Sequence, residues 1–287
     1  MRPILVTGVP RSGNTWLARL LALSPGTALA GREPMNPRGR QYALGGSLDG
    51  WTRLTDPSPY QRFLLRTAYG GWNPMVFSRF GARQWAGPLP QTRVVVKDPY
   101  ALLSLRTVAA ATGATPVLVY RHPGAVLASY RRVSWSPRLD EVAAIAGTPE
   151  VRSLGLDLPE VPQGSTPVTA HEMGIFWSVL MELALADAAD TNTLVVSHAE
   201  LASGGERAGR ALADRLQLRW SPAMTAELTK QSSGREVLSG QLHNFDRAPA
   251  DVAEEWRAKL SDYEIEAVEQ VSARALARVE AARLRLL

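Results

Sequence analysis

Two short stretches of the chain carry residue types suited to gripping an anion. Gly8-Val9-Pro10-Arg11-Ser12-Gly13-Asn14-Thr15-Trp16-Leu17 gathers a guanidinium, two hydroxyls and two glycines. It follows the apolar run Ile4-Leu5-Val6-Thr7, and Leu17, Leu20 and Leu21 then recur at helical spacing. The pattern predicts a buried strand, a tight glycine-bearing turn and a helix start. Such a turn aims backbone N–H groups and the positive end of a helix at one point, where a phosphate or sulfate group fits. Arg11, Ser12, Gly13, Asn14, Thr15 and Trp16 are the candidate binding residues; an ordinary strand-to-helix turn is the plainer alternative. Gly8 and Gly13 have the spacing of a Walker A loop, but Asn14 stands where that motif needs lysine. The cation has moved forward to Arg11, which weakens the case for metal-dependent nucleoside triphosphate chemistry and leaves anion binding intact.

The second stretch lies about a hundred residues on. Pro116-Val117-Leu118-Val119-Tyr120 reads as a strand ending at Arg121, and residues 125–132 read as a helix with Pro123 or Gly124 near its start. Arg121 and Ser129, eight residues apart, place a guanidinium and a hydroxyl where a monoester phosphate could be held. Arginine suits this task because its planar fork bonds two oxygens at once. In an open parallel sheet, ligands bind at the carboxyl ends of the strands.

These two motifs together resemble those of sulfotransferases that use 3'-phosphoadenosine 5'-phosphosulfate (PAPS). The family's 5'-phosphosulfate loop runs roughly P-[KR]-S-G-T-T-W-L, which Pro10 to Leu17 match except at Asn14. Its 3'-phosphate motif is an arginine after a strand, with serine eight residues later, as at Arg121 and Ser129. Gly8 to Gly13 and Lys97-Asp98-Pro99 are most similar to the tyrosylprotein sulfotransferase branch and its bacterial relatives. The resemblance covers roughly residues 4–132 and is weaker beyond. It implies PAPS as donor, no metal, and transfer of a sulfuryl group to an acceptor hydroxyl. The candidate base is Glu33, in Gly31-Arg32-Glu33-Pro34, since related tyrosylprotein and carbohydrate sulfotransferases carry a catalytic glutamate in a similar place. Lys97 and Arg11 are the candidate cations for the charge that develops on the leaving nucleotide. Cytosolic relatives have lysine at the Arg11 position. They also place a catalytic histidine two residues after their lysine, where this chain has Pro99. The late loop Ser232-Ser233-Gly234-Arg235 resembles the segment with which such enzymes close over the nucleotide, so Ser233 and Arg235 are further candidates.

The elements that must position these residues alternate. Strand-like runs occupy residues 4–7, 94–97, 117–121 and 193–197, with a short fifth at 27–31. Helical patterns cover 15–23, 102–112, 125–132, 172–189, 207–216 and a long segment from about 263 to the end. The alternation predicts an α/β fold, a single domain built on a parallel β-sheet flanked by helices. Residues 34–91 and 134–169, rich in Gly and Pro, interrupt it. Both are expected to be irregular insertions forming an acceptor-binding lid. Trp51, Trp72 and Trp85 in the first favour an amphipathic or aromatic small-molecule acceptor. His122, His171 and His198 read as structural, and Trp177 as core.

Composition narrows the class. The chain has 287 residues and no cysteine, which excludes disulfides and thiolate metal sites, and its four histidines are scattered. The net charge of +5 is carried by dispersed arginines without an aromatic-interleaved basic stripe, so nucleic acid is not the expected partner. No apolar run approaches the ~20 residues of a membrane span. With no signal-peptide pattern before the first strand, a cytoplasmic location is expected. Lysines occur only at positions 97, 230 and 259, and this arginine bias with abundant alanine points to a GC-rich bacterial genome. With the aromatic-rich insertions, a bacterial natural product is the expected kind of acceptor. A P-loop small-molecule kinase and a non-catalytic nucleotide-binding protein are the alternatives.

Overall fold

Five apolar segments form one parallel sheet, β1 (Ile4–Thr7), β2 (Thr27–Ala30), β3 (Arg93–Lys97), β4 (Thr115–Tyr120) and β5 (Leu194–Ser197), in the order β2-β3-β1-β4-β5. The computed structural model is described for residues 1–37, 43, 44, 46–73, 92–161, 168–229 and 255–287. β4 begins at Thr115, one residue before the run that opens on Pro116. Thr115 donates its N–H to Pro3 O on the β1 side, so the next nitrogen falls on the β5 side, where pairing begins only at Val117 with Leu194. The proline therefore costs the sheet no ladder bond.

Helices cover both faces because the strands are apolar on both. On one face Ile4, Val6, Val95, Val117, Val119 and Val196 pack with α1 (Asn14–Ala22), α8 (His198–Arg215) and α9 (Pro222–Leu228). On the other, Leu5, Val96, Leu118 and Tyr120 pack with α3 (Leu105–Thr112), α4 (Pro123–Arg132), α7 (Ala170–Ala188) and α10 (Asp262–Ala282). α7 opens on a capping box between Thr169 and Glu172 and is buried on nearly every side, as an all-round apolar helix must be. Helix α8 is two helical segments joined at Gly205, whose φ 53° and ψ −135° are not helical; the second begins close to residue 207, as expected, and the first, from His198, carries no signal strong enough to be read from the sequence. After α10 the chain turns so that Leu284 N–H bonds Val195 O at 2.8 Å, covering the β5 edge.

The two insertions are less irregular than their composition suggests. The first holds α2 (Pro59–Tyr69), started by a reciprocal Ser58–Gln61 capping box. The second holds α5 (Leu139–Ala146) and α6 (Pro149–Ser153), the latter capped by the Thr148 hydroxyl. Leu65, Tyr69, Leu139, Val142, Ile145 and Val151 join the core of the α7 face. Trp51, expected on the acceptor side, is buried against Tyr100 and Phe176, with ring centroids 4.9 and 6.0 Å away. Trp72 is exposed, and Trp85 lies outside the described residues.

Arg53 ties both insertions to the body. Its guanidinium bonds Asp187 of α7 at 2.7 Å, Glu150 of α6 at 3.2 Å and the Leu103 carbonyl at 3.0 Å. Arg53 and Asp187 are both buried, so removing one strands the other's charge. Arg53→Ala is expected to lower the unfolding free energy by about 3–5 kcal/mol, read from urea denaturation. A loss below about 1 kcal/mol, the range of a solvent-exposed pair, would contradict this role.

Candidate active site

The strand order sets the chemistry in a row along the carboxyl edge of the sheet. Glu33 follows β2, Lys97 ends β3, the glycine loop follows β1, Arg121 follows β4, and His198 follows β5. Neighbouring strands lie about 4.8 Å apart, so consecutive members of this row are within side-chain reach. Lys97 is in register with Val6, two residues before Gly8.

The loop is shaped by close backbone approach. A Cβ on Gly8 would lie 2.0 Å from the Val119 carbonyl oxygen, so glycine is what lets the loop leave β1 beside β4. Gly13 has φ 96° and caps α1, and a Cβ there would lie 2.3 Å from His198 Cδ2. Arg11 is held at φ 74°, a costly conformation for a side-chain-bearing residue. Asn14 explains its departure from both the Walker and the sulfotransferase patterns. Its amide donates to Gly8 O at 2.9 Å and Val9 O at 3.3 Å, so the side chain braces the loop from within. Ser12 Oγ and Trp16 Nε1 are buried without a hydrogen-bond partner, which is costly unless a ligand supplies one. Gly13→Ala combines backbone strain with a clash. It is expected to weaken binding of 3'-phosphoadenosine 5'-phosphate (PAP), the desulfated form of the donor that the sequence resemblance implies, by about 5- to 150-fold, given the 1–3 kcal/mol of such strain. Unchanged affinity in calorimetry would contradict the loop's role.

The second motif meets the first. Arg11 Nε donates to Ser129 Oγ at 3.0 Å, across 118 positions of sequence. Arg121, Ser129, Arg132, Trp256 and Lys259 line one small pocket. Burial, with the nearby Arg132 charge, lowers the Arg11 pKa to about 10, so three arginines and a lysine crowd a region that favours negative charge. Trp177, in the core as expected, donates Nε1–H to the Arg121 carbonyl at 3.1 Å and fixes that turn. His122 caps α4, its Nδ1 accepting from Gly124 N–H at 3.2 Å, and stacks on Trp256 at 4.5 Å. Burial and Arg257 lower its pKa to about 4, so it stays neutral.

The other two candidate residues, Glu33 and Lys97, lie on the other side of the loop. Lys97 Nζ pairs with Glu33 Oε1, and Asn36 Nδ2 donates to Glu33 Oε2. The two side chains of the ion pair are 22% and 17% exposed, so both reach solvent and an incoming substrate. Arg11 also lies over Trp135, its guanidinium carbon 5.6 Å from the ring centroid.

The structure thus brings together Arg11, Ser12, Gly13, Asn14, Thr15 and Trp16 with Arg121 and Ser129, and pairs Glu33 with Lys97. Ser233 and Arg235 lie outside the described residues. Three neighbours escaped sequence reasoning, Asn36, Arg132 and Lys259, while His198, read as structural, packs against the loop. Arg132 sits one turn beyond Ser129 on α4, and that spacing could have shown it. His198 could be placed under Gly13 only by the fold. It is fully buried, Nδ1 has no partner, and burial with Arg121 lowers its pKa to about 3. A larger open depression, about 1100 Å³, lies at the amino ends of the strands beside Arg2, Arg93, Arg215 and Arg219. It contains none of the residues above.

An open parallel sheet with a glycine-bearing loop between its first strand and α1 is a P-loop-like architecture. The profile described as the sulfotransferase family matches residues 3–148, just over half of the chain, and the chain belongs to that family. Among solved structures, mouse sulfotransferase SULT7A1 complexed with PAP aligns at 11% identity and TM-score 0.47. The alignment covers 98% of this chain and 86% of that one. No curated protein matches the sequence. No helix among the described residues is long and apolar enough to cross a membrane.

Proposed function

We propose that the protein transfers a sulfuryl group from PAPS to a hydroxyl of a small-molecule acceptor. The observation that carries this reading is the Arg11–Ser129 bond, which joins a loop suited to a 5'-phosphosulfate to a pocket suited to a 3'-phosphate. The unpartnered Ser12 hydroxyl and the cations of the Arg121 pocket fit a nucleotide with phosphate at both ends. Loop residues 11–16 hold the 5' end; Arg121 and Ser129 hold the 3'-phosphate, with Arg132 and Lys259 close by.

In the reaction, Glu33 accepts the proton of the acceptor hydroxyl as its oxygen bonds sulfur. The bond from sulfur to the 5'-phosphate oxygen breaks, and that oxygen keeps the electron pair. Lys97 and Arg11 stabilise the charge that grows there. The work is positioning and electrostatics, as in phosphoryl transfer. Of the two insertions, the second brings Trp135 over Arg11 and so supplies one wall of the acceptor space. Trp135, 37% exposed beside Arg11, offers a flat face there, which suits an aromatic or amphipathic acceptor. Calorimetry with PAP against ATP·Mg²⁺ tests the reading. PAP binding without ATP·Mg²⁺ binding is expected, and the reverse preference would favour a kinase. Mass spectrometry of candidate metabolites, seeking a PAPS-dependent gain of one sulfate, identifies the acceptor.

A further inference from the structure

We propose that Asp98 is a positioning residue for Glu33, clasping the turn that carries Glu33 to the strand end that carries Lys97. The inference rests on the reading of Glu33 as the base. Asp98 Oδ1 accepts from Tyr100 N–H at 3.0 Å, which starts the 3₁₀ turn Pro99–Ser104. For that local task a serine or asparagine would serve as well. Its other oxygen, Oδ2, accepts from Met35 N–H at 2.6 Å, 63 positions away in sequence and next to the Glu33-Pro34 step. Each oxygen therefore holds a backbone N–H of a different loop, one following β2 and one following β3. The bond to Met35 is a short one, as bonds to an ionised carboxylate are.

The rest of the turn is fixed from other directions, which makes the clasp effective. The Met35 side chain is in the core, Asn36 N–H donates to Glu33 O at 3.2 Å, and Asn36 Nδ2 holds Glu33 Oε2. With Met35 N–H tied down, the remaining freedom of Glu33 is its own side chain, and Lys97 takes its second oxygen. Asp98 is 0% exposed, and burying a carboxylate is costly unless it is fully bonded. Burial first, then the Glu33 charge, raise its pKa to about 7, against the two N–H bonds and Lys97. The ionisable groups facing it are Glu33 from the β2 turn, Lys97 from β3 and the buried Tyr69 phenol from α2. Above about pH 7 the carboxylate is ionised and grips Met35 N–H most strongly; below it the clasp loosens.

The test uses PAPS alone, with water as acceptor. Water's oxygen bonds sulfur, Glu33 takes its proton, and the products are sulfate and PAP, which is measured. Asp98→Asn keeps the volume and the bond from Tyr100 but presents an NH₂ to Met35. It is expected to lower kcat by about 10- to 100-fold, as small misplacements do, with KM for PAPS and PAP affinity within about twofold. The wild-type rise of kcat through about pH 7 should flatten in the variant. Because Asp98 acts through Glu33, the double variant with Glu33→Gln should be no slower than Glu33→Gln alone. If Asp98→Asn fails to fold, Asn36→Ala loosens the same turn from its other end and should give the same split and the same non-additivity. Wild-type turnover in Asp98→Asn, lost PAP binding, or additive losses would overturn the inference while leaving Glu33 as the base. Wild-type turnover in Glu33→Gln would instead overturn the reading beneath it.

Discussion

Glu33→Gln is expected to lower sulfuryl-transfer turnover by about 10²–10⁴-fold, the usual contribution of a positioned general base. Glutamine keeps the length and the planar head, and its carbonyl can still accept from Asn36 or Lys97, so the turn has no reason to move. What disappears is the ability to take a proton. PAP affinity should stay the same or rise, because a negative charge beside Lys97 is removed from the neighbourhood of an anionic ligand. The combination separates catalysis from binding: slow turnover, intact PAP binding and an unchanged melting temperature. Turnover within about threefold of wild type, far short of what a base contributes, would mean another group takes the proton.

Arg121→Ala has the second largest expected effect, a loss of about 100-fold in PAP affinity. A charged hydrogen bond contributes about 1.5–3 kcal/mol, and each 1.4 kcal/mol is a factor of ten. Arg121 is placed at the end of β4, and Trp177 Nε1–H holds its carbonyl, so the guanidinium starts from a fixed backbone. The loss should be smaller for adenosine 5'-phosphosulfate, which lacks the 3'-phosphate, and this contrast assigns the residue to the 3' end. Equal losses for both nucleotides would place Arg121 elsewhere on the ligand. Calorimetric titration of both with wild type and variant supplies the comparison.

Much of this architecture was legible because the residues concerned act locally. The runs at Ile4, Val94, Val117 and Leu194 are apolar on both faces, which in an α/β pattern means buried parallel strands. The glycine loop and Arg121 announce themselves by following such strands. The helices in the insertions were hidden because their signals are short capping devices, Ser58 with Gln61 and Thr148, embedded in Gly- and Pro-rich sequence. Trp51 was misread as a lid residue because an aromatic in a loop carries no periodicity that says which way it faces. It packs into the core instead. Strand order was the largest gap: nothing local says that β3 lies between β2 and β1. That order puts Glu33 beside Lys97 and Lys97 beside the glycine loop. Asp98 was invisible as a helper of Glu33 for the same reason, since its partner Met35 is set by the meeting of two loops rather than by spacing. Asn36 bonds Glu33 three residues back, within a turn whose shape the sequence does not announce.

The most direct test is a crystal structure of the protein with PAP. The 5'-phosphate is expected on the backbone N–H groups of the loop from Arg11 to Thr15, and the 3'-phosphate on Arg121 and Ser129, with Arg11 released from Ser129 toward the 5' end. PAP lodged instead in the depression beside Arg93 and Arg215, or Arg121 turned toward no phosphate, would contradict the account.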